Sequence, residues 1–566
     1  MISWIKRLFA RPGTPAPRPL IDGNLYRNLT EIGKIKKMTR ELAEELDGTL
    51  QDTRPLDTFG GSLEAAEKRL RAGIGRSGDV VLRPFRIGGT DGWPALLCFL
   101  QGISDNAMID RDVLIPLQSY SAAASFAADP ARGWERAKDA LVAVGHVESE
   151  DKWPELLATV HYGNTLLFLE GSPKVLVLDT TKPQFRGIDK PVTELALNGA
   201  QEAFTEPILI QITQIRRRIT SPALQVRLRP SALPSGTPLA VVYLENVANP
   251  ELVDQVDERL DRLDGVNVYS TERLTFYLSD YPYSPFPLIR RTERVDQVVR
   301  DLLQGKVAVL LDGTPFPLTM PTVLNDFFVT MMDYYSTSWS ATLSRLTRCF
   351  ATFIGIFFPA FYIAVLSVNP NFLPLELTLT LQMAESGLPF PSILEVAIML
   401  VILSILIEAG LRLPKSLNTV LGTAGAIVLG TAVVKAGIVS PLMLVIMTIT
   451  AVALFTAPVF DLTSTYRIIS IPLLFIAYYL GFYGLGLAIV IIVVHLCTLT
   501  SFGVPYFSPY APIKLRDLVD SSIRLPLVLD PHRPSYLRPV STYAGNPYTP
   551  APPADAAGQE EARRKK

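Results

Sequence analysis

The chain has 566 residues, and its 53 Lys and Arg against 54 Asp and Glu leave a net charge of −1, with no basic excess to neutralise nucleic-acid phosphates. Four histidines and three cysteines (Cys98, Cys349, Cys497) lie far apart, without the spacing of a metal site or a disulfide framework. A mean hydropathy of +0.26 hides an uneven spread, because charged residues recur up to Tyr335 and nearly vanish between Cys349 and Ser501.

Residues 1–56 read as an extension and linker. The opening MISWIKRLFARPGTPAPRPL holds an apolar run too short for a signal peptide and broken by Lys6 and Arg7, so the polar region is expected to stay cytosolic. Trp4, Ile5, Leu8 and Phe9 make either one face of an interfacial turn or a frayed tail. A charged amphipathic helix is expected between Tyr26 and Arg54.

A first α/β subdomain is expected over 57–150. Ser62 is placed to cap a helix that stops at Gly73, and VVLRPFRI and ALLCFLQG are strand-like runs joined by a Gly-rich turn. A second subdomain is expected over 151–325. LLFLEGSPKVLVLDT reads as a hairpin, LAVVYLENV and KVAVLLDGTPF as strands, and PELVDQVDERLDRLDG as an amphipathic helix. An earlier helix ends in Arg216, Arg217 and Arg218. This alternation of strands and helices predicts α/β units. Residues 326–346, aromatic and amphipathic, are expected to lie on a membrane surface.

From 347 to 505 the chain reads as a polytopic helical membrane domain. Spans are expected at Thr347–Val368, Ser392–Ala409, Asn418–Val434 and Ile438–Val459. The apolar run Ile468–Thr500 would make a helix of about 50 Å, too long for one crossing, and GFYGLG at 481–486 is a natural break. Six spans follow, or five if that run is unbroken. Arg345, Arg348, Arg412, Lys415, Arg467, Lys514, Arg516 and Arg524 fall on the N-terminal side, and Lys435 is the exception. Both termini are therefore expected in the cytosol, with a C-terminal tail from 506 whose Pro-rich end, after Leu529, is disordered.

Several long stretches resemble one family. They are SPFPLIRRTERVDQVVRDLLQGKVAVLLDGTPFPLTMPTVLNDFF, NPNFLPLELTLTLQMAESGLPFPSILEVAIMLVILSILIEAGLRLPKSL, GTAVVKAGIVSP, the terminal SFGVPYFSPYAP, and Phe204-Thr205-Glu206 before the Arg216–Arg218 helix. In this order they resemble the A subunits of bacterial spore germinant receptors, the GerA family, over about Asp57 to Pro512. Gly199-Ala200 and Gln211 depart from the family's usual pattern. The resemblance implies a component of a nutrient receptor in the spore inner membrane. It would act with a transporter-like B subunit and a lipoprotein C subunit, assemble with copies of itself, and pass monovalent cations across the bilayer when nutrient is sensed.

The best candidate for a conducting helix is NTVLGTAGAIVLGTAVVKAG. Gly422, Ala426 and Gly430 form a small-residue stripe that serves contacts either between subunits or within one. Thr419, Thr423, Ile427, Thr431 and Val434 are the candidate pore-lining residues, with apolar side chains gating by dewetting. Glu395 and Glu408, near opposite ends of one span, mark an ion path or sit hydrated at the interfaces. Lys435 stands at a pore mouth or snorkels, and His495 reads as a packing residue. The three arginines 216–218 pair with acidic groups of a neighbouring subunit or with lipid headgroups, or else end a solvated helix. Thr292 is placed to cap the helix after it, and Asp312-Gly313-Thr314-Pro315 reads as a tight turn. No phosphate loop, nucleophile elbow or paired carboxylates stand out, so a non-enzyme without catalytic residues, cofactor or metal is expected. Two rival functions remain: a secondary transporter built on broken helices, and a scaffold that conducts nothing.

Overall fold

The computed structural model describes residues 58–412, 433–525 and 532–542, less 90–91, 121–128, 173, 182–189, 192, 195, 197, 230–236, 264–265 and 386. The expected extension at 1–56 lies outside these residues, as do Thr419, Gly422, Thr423, Ala426, Ile427, Gly430 and Thr431.

Helix α1 (Leu63–Ala72) starts at Ser62, whose hydroxyl accepts the Ala65 N–H, and stops at Gly73. Strands β1 (Val80–Ile87) and β2 (Trp93–Leu100) pair in full register from Val80 opposite Leu100 to Ile87 opposite Trp93. Then come β3 (Val147–Glu150), α2 (Trp153–His161), β4 (Thr165–Leu169) and β5 (Val175–Leu178). These make one sheet of order β1-β2-β4-β5-β3. Alternate side chains of β2 and β4 go to opposite faces. Leu97, Leu167 and Leu169 pack with Val113 and Leu117, while Leu96, Cys98 and Phe168 pack with α1 and α2. Burial on both faces explains why these strands read as continuous apolar runs.

The second unit has α3 (Ile208–Arg218), β6 (Leu224–Arg229), β7 (Leu239–Leu244), α4 (Pro250–Asp261), α5 (Thr271–Leu278), β8 (Arg290–Arg291), α6 (Val295–Gln304), β9 (Val307–Leu311) and β10 (Leu318–Met320). Its sheet order is β6-β7-β9-β10-β8. Helices α4 and α5 cover one face, and α3 and α6 the other. Every pairing in both sheets is antiparallel, so these helix-covered units lack the parallel ladders of a doubly wound fold. The boundary at 150 also moves: the 165–178 hairpin completes the first sheet, whereas strands of the second sheet begin at Leu224.

Residues 326–346 do not form one surface helix. A 3-10 turn at Leu324–Phe327 and a short helix α7 (Met331–Tyr334) precede the long helix α8 (Ser338–Ser367), and Asp326, Phe327 and Asp333 are buried. The Asp333 carboxylate accepts the Thr330 N–H at 3.1 Å, which starts α7 separately. Trp339 and Leu343, by contrast, are exposed on the first turns of α8.

The apolar region continues with α9 (Leu375–Glu385), α10 (Ser392–Arg412), α11 (Pro441–Phe455) and α12 (Phe460–Thr498). Among the described residues, three helices are long and apolar enough to cross a membrane: α8, α10 and α12; α11 is shorter. Helix α12 is broken at Gly481, where φ is 55° and a side chain would strike Val368 and Asn369. Its two arms double back. Near its start Thr465 donates to the Pro285 carbonyl, and near its end His495 meets Ser284 at 3.2 Å.

The segment after α12 turns back onto the second unit. The Tyr506 carbonyl accepts the Leu324 N–H, Arg533 donates to the Leu303 carbonyl at 2.7 Å, and Val540 bonds Val247. Residues 532–542 are therefore packed, which corrects the expectation of disorder for that part of the tail.

Candidate functional site

The charged residues that the sequence scatters over 79–524 meet at two junctions. The first joins the two sheet units. Helix α3 carries Arg216 across to Asp79, in the turn before β1, through Nε–Oδ2 and Nη2–Oδ1 bonds of 2.5 and 2.8 Å, and Ser77 accepts a third at 2.8 Å. Both charges are 1 % exposed, so each satisfies a desolvation penalty that neither could bear alone. Beside them lies His161, buried and with neither ring nitrogen hydrogen-bonded among the described residues, and desolvation and then Arg216 lower its pKa to about 4. Of the other two arginines, Arg218 pairs with Glu202 on its own unit and Arg217 is exposed. Of these three, Arg216 is the one whose ion pair crosses to the first unit, and Arg218 stays within its own.

The second junction joins the second unit to the apolar helices. Asp333 of α7 is its hub: Arg345 Nε and Arg348 Nη2 of α8 reach its two carboxylate oxygens at 3.3 and 2.5 Å. Spacing of 345 and 348 puts both guanidiniums on one face of α8, turned to Asp333. From the C-terminal segment, Arg524 donates to the carbonyls of Asp333 and Ser336, and the Asp520 carbonyl accepts from Arg345 at 2.6 Å. The Tyr334 ring lies under three guanidiniums, Arg300, Arg524 and Arg345, at 4.6, 5.0 and 5.5 Å, and its hydroxyl donates to Asp520.

Strand β8 supplies the next tie. Arg291 pairs with Asp461 at the start of α12 and with Glu272 of α5. Arg290 donates to the Asp326 carbonyl, and Lys306, 0 % exposed, reaches Asp326 at 2.7 Å and Asp301 at 3.6 Å. Burial acts to raise the Asp301 pKa, but Lys306, Arg300, Arg290 and the Thr319 hydroxyl prevail and hold it below the usual carboxylate range. Thr292 does not cap α6, since its hydroxyl accepts the Arg294 N–H and donates to Glu194. Glu293 and Arg294 fasten the 193–200 loop, where Gly199 has φ 94° and a side chain would enter the Tyr335 ring. Asp312 accepts the first N–H of α3 while Gly313 turns with φ 81°. A cavity of about 640 Å³ lies beside this junction, lined by Glu194, Arg290, Arg294, Asp333 and Arg348.

Within the apolar helices, Glu395 is 0 % exposed. One oxygen accepts the N–H of Ser440, the cap of α11, and the other has no partner among the described residues. Tyr362 of α8 meets the Ser440 hydroxyl at 3.3 Å. Glu395 thus holds three helices at the end remote from the sheets, beyond which Val434 is half-buried and Lys435 exposed. Glu408 is exposed on α10, far along the helix from Glu395. His495 packs against Phe286, with ring centroids 6.0 Å apart. Among the described residues no cluster of three His, Cys, Asp or Glu is placed to hold a metal.

Two antiparallel, helix-covered sheets clamped by buried ion pairs to a set of apolar helices define a membrane-associated protein with a large polar module. The chain belongs to the family described as "Bacillus/Clostridium GerA spore germination protein", which it matches over residues 68–536. It is 33% identical over 462 residues to spore germination protein KA of Bacillus subtilis, covering 81% of this chain and 84% of that one. Identity to spore germination protein GerLA of Bacillus cereus is 30%, over 84% and 96% of the two chains. The N-terminal domain of the A subunit of the Bacillus megaterium spore germinant receptor GerK3 aligns at 26% identity and a TM-score of 0.38, over 48% of this chain and 99% of that domain.

Proposed function

We propose that this chain is the A subunit of a germinant receptor in the spore inner membrane. In this reading it assembles with copies of itself into a channel that releases monovalent cations once a transporter-like B subunit and a lipoprotein C subunit sense nutrient. The observation that carries the reading is the family match, which runs through both sheet units, the charge clamps and the apolar helices. The clamps suit the task. A displacement of the sheet units acts on α8 through Asp333 and on α12 through Arg291, two helices whose far ends meet the Glu395–Ser440 contact and the Gly481 turn.

Geometry also supports six crossings with both termini cytosolic. The sheets and the C-terminal segment share one end of the helices. Five arms are described, counting α12 twice, and the sixth is proposed at Asn418–Val434, most of which lies outside the described residues. That sixth crossing, with Thr419, Thr423, Ile427, Thr431 and Val434 toward the lumen and Gly422, Ala426 and Gly430 at helix contacts, is the proposed pore.

Purified protein reconstituted with its B and C subunits in potassium-loaded liposomes, with nutrient added, tests this. The reading predicts efflux that scales with channel number and does not saturate with solute. Saturable, solute-coupled flux would make the chain a transporter, and liposomes as tight as protein-free ones would make it a scaffold.

A further inference from the structure

We propose that the groove between α10 and the first arm of α12 is a phospholipid site, with an acyl chain against its apolar walls and the phosphate on Arg467. The groove encloses about 170 Å³ and is lined along one stripe of α10 by Ile393, Ala397 and Ser404 and along α12 by Arg467, Ile471 and Phe475. Val401, Ile471 and Phe475 are each more than half exposed, so the slot opens outward, where hydrocarbon would surround the bundle.

Arg467 stands two turns into α12, at the end tied to the sheets by Thr465 and Asp461. Its Nε is buried without a partner, and among the described residues it forms no hydrogen bond or ion pair. Its neighbours at that end are different: Arg291, Arg345 and Arg348 each hold a carboxylate. The other polar groups on the wall are already used, since Ser404 donates to Leu400 and Ser470 to Tyr466.

What remains is one half-buried guanidinium, without a protein partner among the described residues, at the mouth of an apolar slot. A ligand matching both parts carries an anion at one end and hydrocarbon at the other. Inorganic phosphate would leave the slot empty, and a hydrocarbon would leave the guanidinium unpaired. An anionic headgroup with net charge −1 fits better than phosphatidylcholine, whose choline competes for the phosphate. The site stands whether or not the chain conducts ions, so its test is separate from that of the proposed function.

Native mass spectrometry of the full-length protein in non-ionic detergent, with phosphatidylglycerol or phosphatidylcholine added, measures the retained lipid. Wild type is expected to retain one phosphatidylglycerol in preference to phosphatidylcholine, and Arg467→Gln to hold it about fivefold less. Ala397→Phe fills the slot and should lose both lipids with Arg467 intact. Equal retention of the two headgroups by wild type, full retention by either variant, or displacement by glycerol phosphate alone would overturn the proposal. If a variant fails to fold, the wild-type headgroup comparison still decides.

Discussion

Arg216 ties the two sheet units through one guanidinium, and among the described residues it is the cation paired with Asp79. Removing one member of such a pair leaves the other charge buried and uncompensated, at a cost of about 3–5 kcal/mol. Arg216→Met should therefore lower the thermal midpoint of the protein by several degrees, while adding Asp79→Leu should recover much of the loss. Arg216→Lys should rescue poorly, because an ammonium cannot reproduce the two-pronged contact with Asp79 and the bond to Ser77. His161 next to this pair makes stability depend on pH. The folded chain keeps it neutral to about pH 4, whereas in an unfolded chain it takes up a proton near 6.5. Stability is then full above pH 6.5 and declines as pH falls to about 4, by roughly 3 kcal/mol for this one group. Thermal midpoints measured from pH 7 to pH 4 should fall less steeply in His161→Phe than in wild type.

At the scale of elements, the base of α8 and the turn of α12 carry the most specific expectations. Asp333→Asn keeps the size of the hub but removes the charge that holds Arg345 and Arg348. Hydrogen exchange across 330–348 should speed up by one to two orders of magnitude, with the first sheet unaffected. Gly481→Ala combines a left-handed backbone with a collision at Val368 and Asn369. The backbone term alone is about 1–2 kcal/mol, so the variant should melt earlier in detergent than Gly486→Ala, where a side chain meets nothing.

These elements were unevenly legible in the sequence. Apolar runs such as ALLCFLQG and LAVVYLENV located β2 and β7, because sheets buried on both faces need them. The Gly481 break was legible because a helix of that length overshoots a bilayer. Strand order is not: local periodicity says nothing about which run pairs with which, so the 165–178 hairpin reads as part of the second unit although it completes the first sheet. The Arg216–Asp79 pair spans 137 positions, and no local signal marks it. Asp326 and Asp333 fall in the stretch expected on a membrane surface, yet Lys306, Arg345 and Arg348 neutralise them inside the protein. The packing of 532–542 was hidden by its prolines, which suit an extended strap as well as a disordered tail.

In the molecule as a whole, the sheets, the C-terminal segment and the starts of α8 and α12 form one charged, buried junction at one end of the apolar helices. Glu395, Ser440 and Tyr362 form a second, smaller one toward the other end. Between them, in chain order, runs the Gly-rich stretch assigned to the pore. Its assignment is open to direct test by cysteine accessibility. Cys98, Cys349 and Cys497 are first replaced by serine, and single cysteines are then placed at Thr423, Ile427 and Val434 and, as controls, at exposed Val401 and Ile471. In planar bilayers that also hold the B and C subunits and nutrient, a water-soluble thiol reagent should block the cation current of the first three and leave the controls conducting. Block at the control positions alone, or bilayers silent for every protein including wild type, would contradict the account.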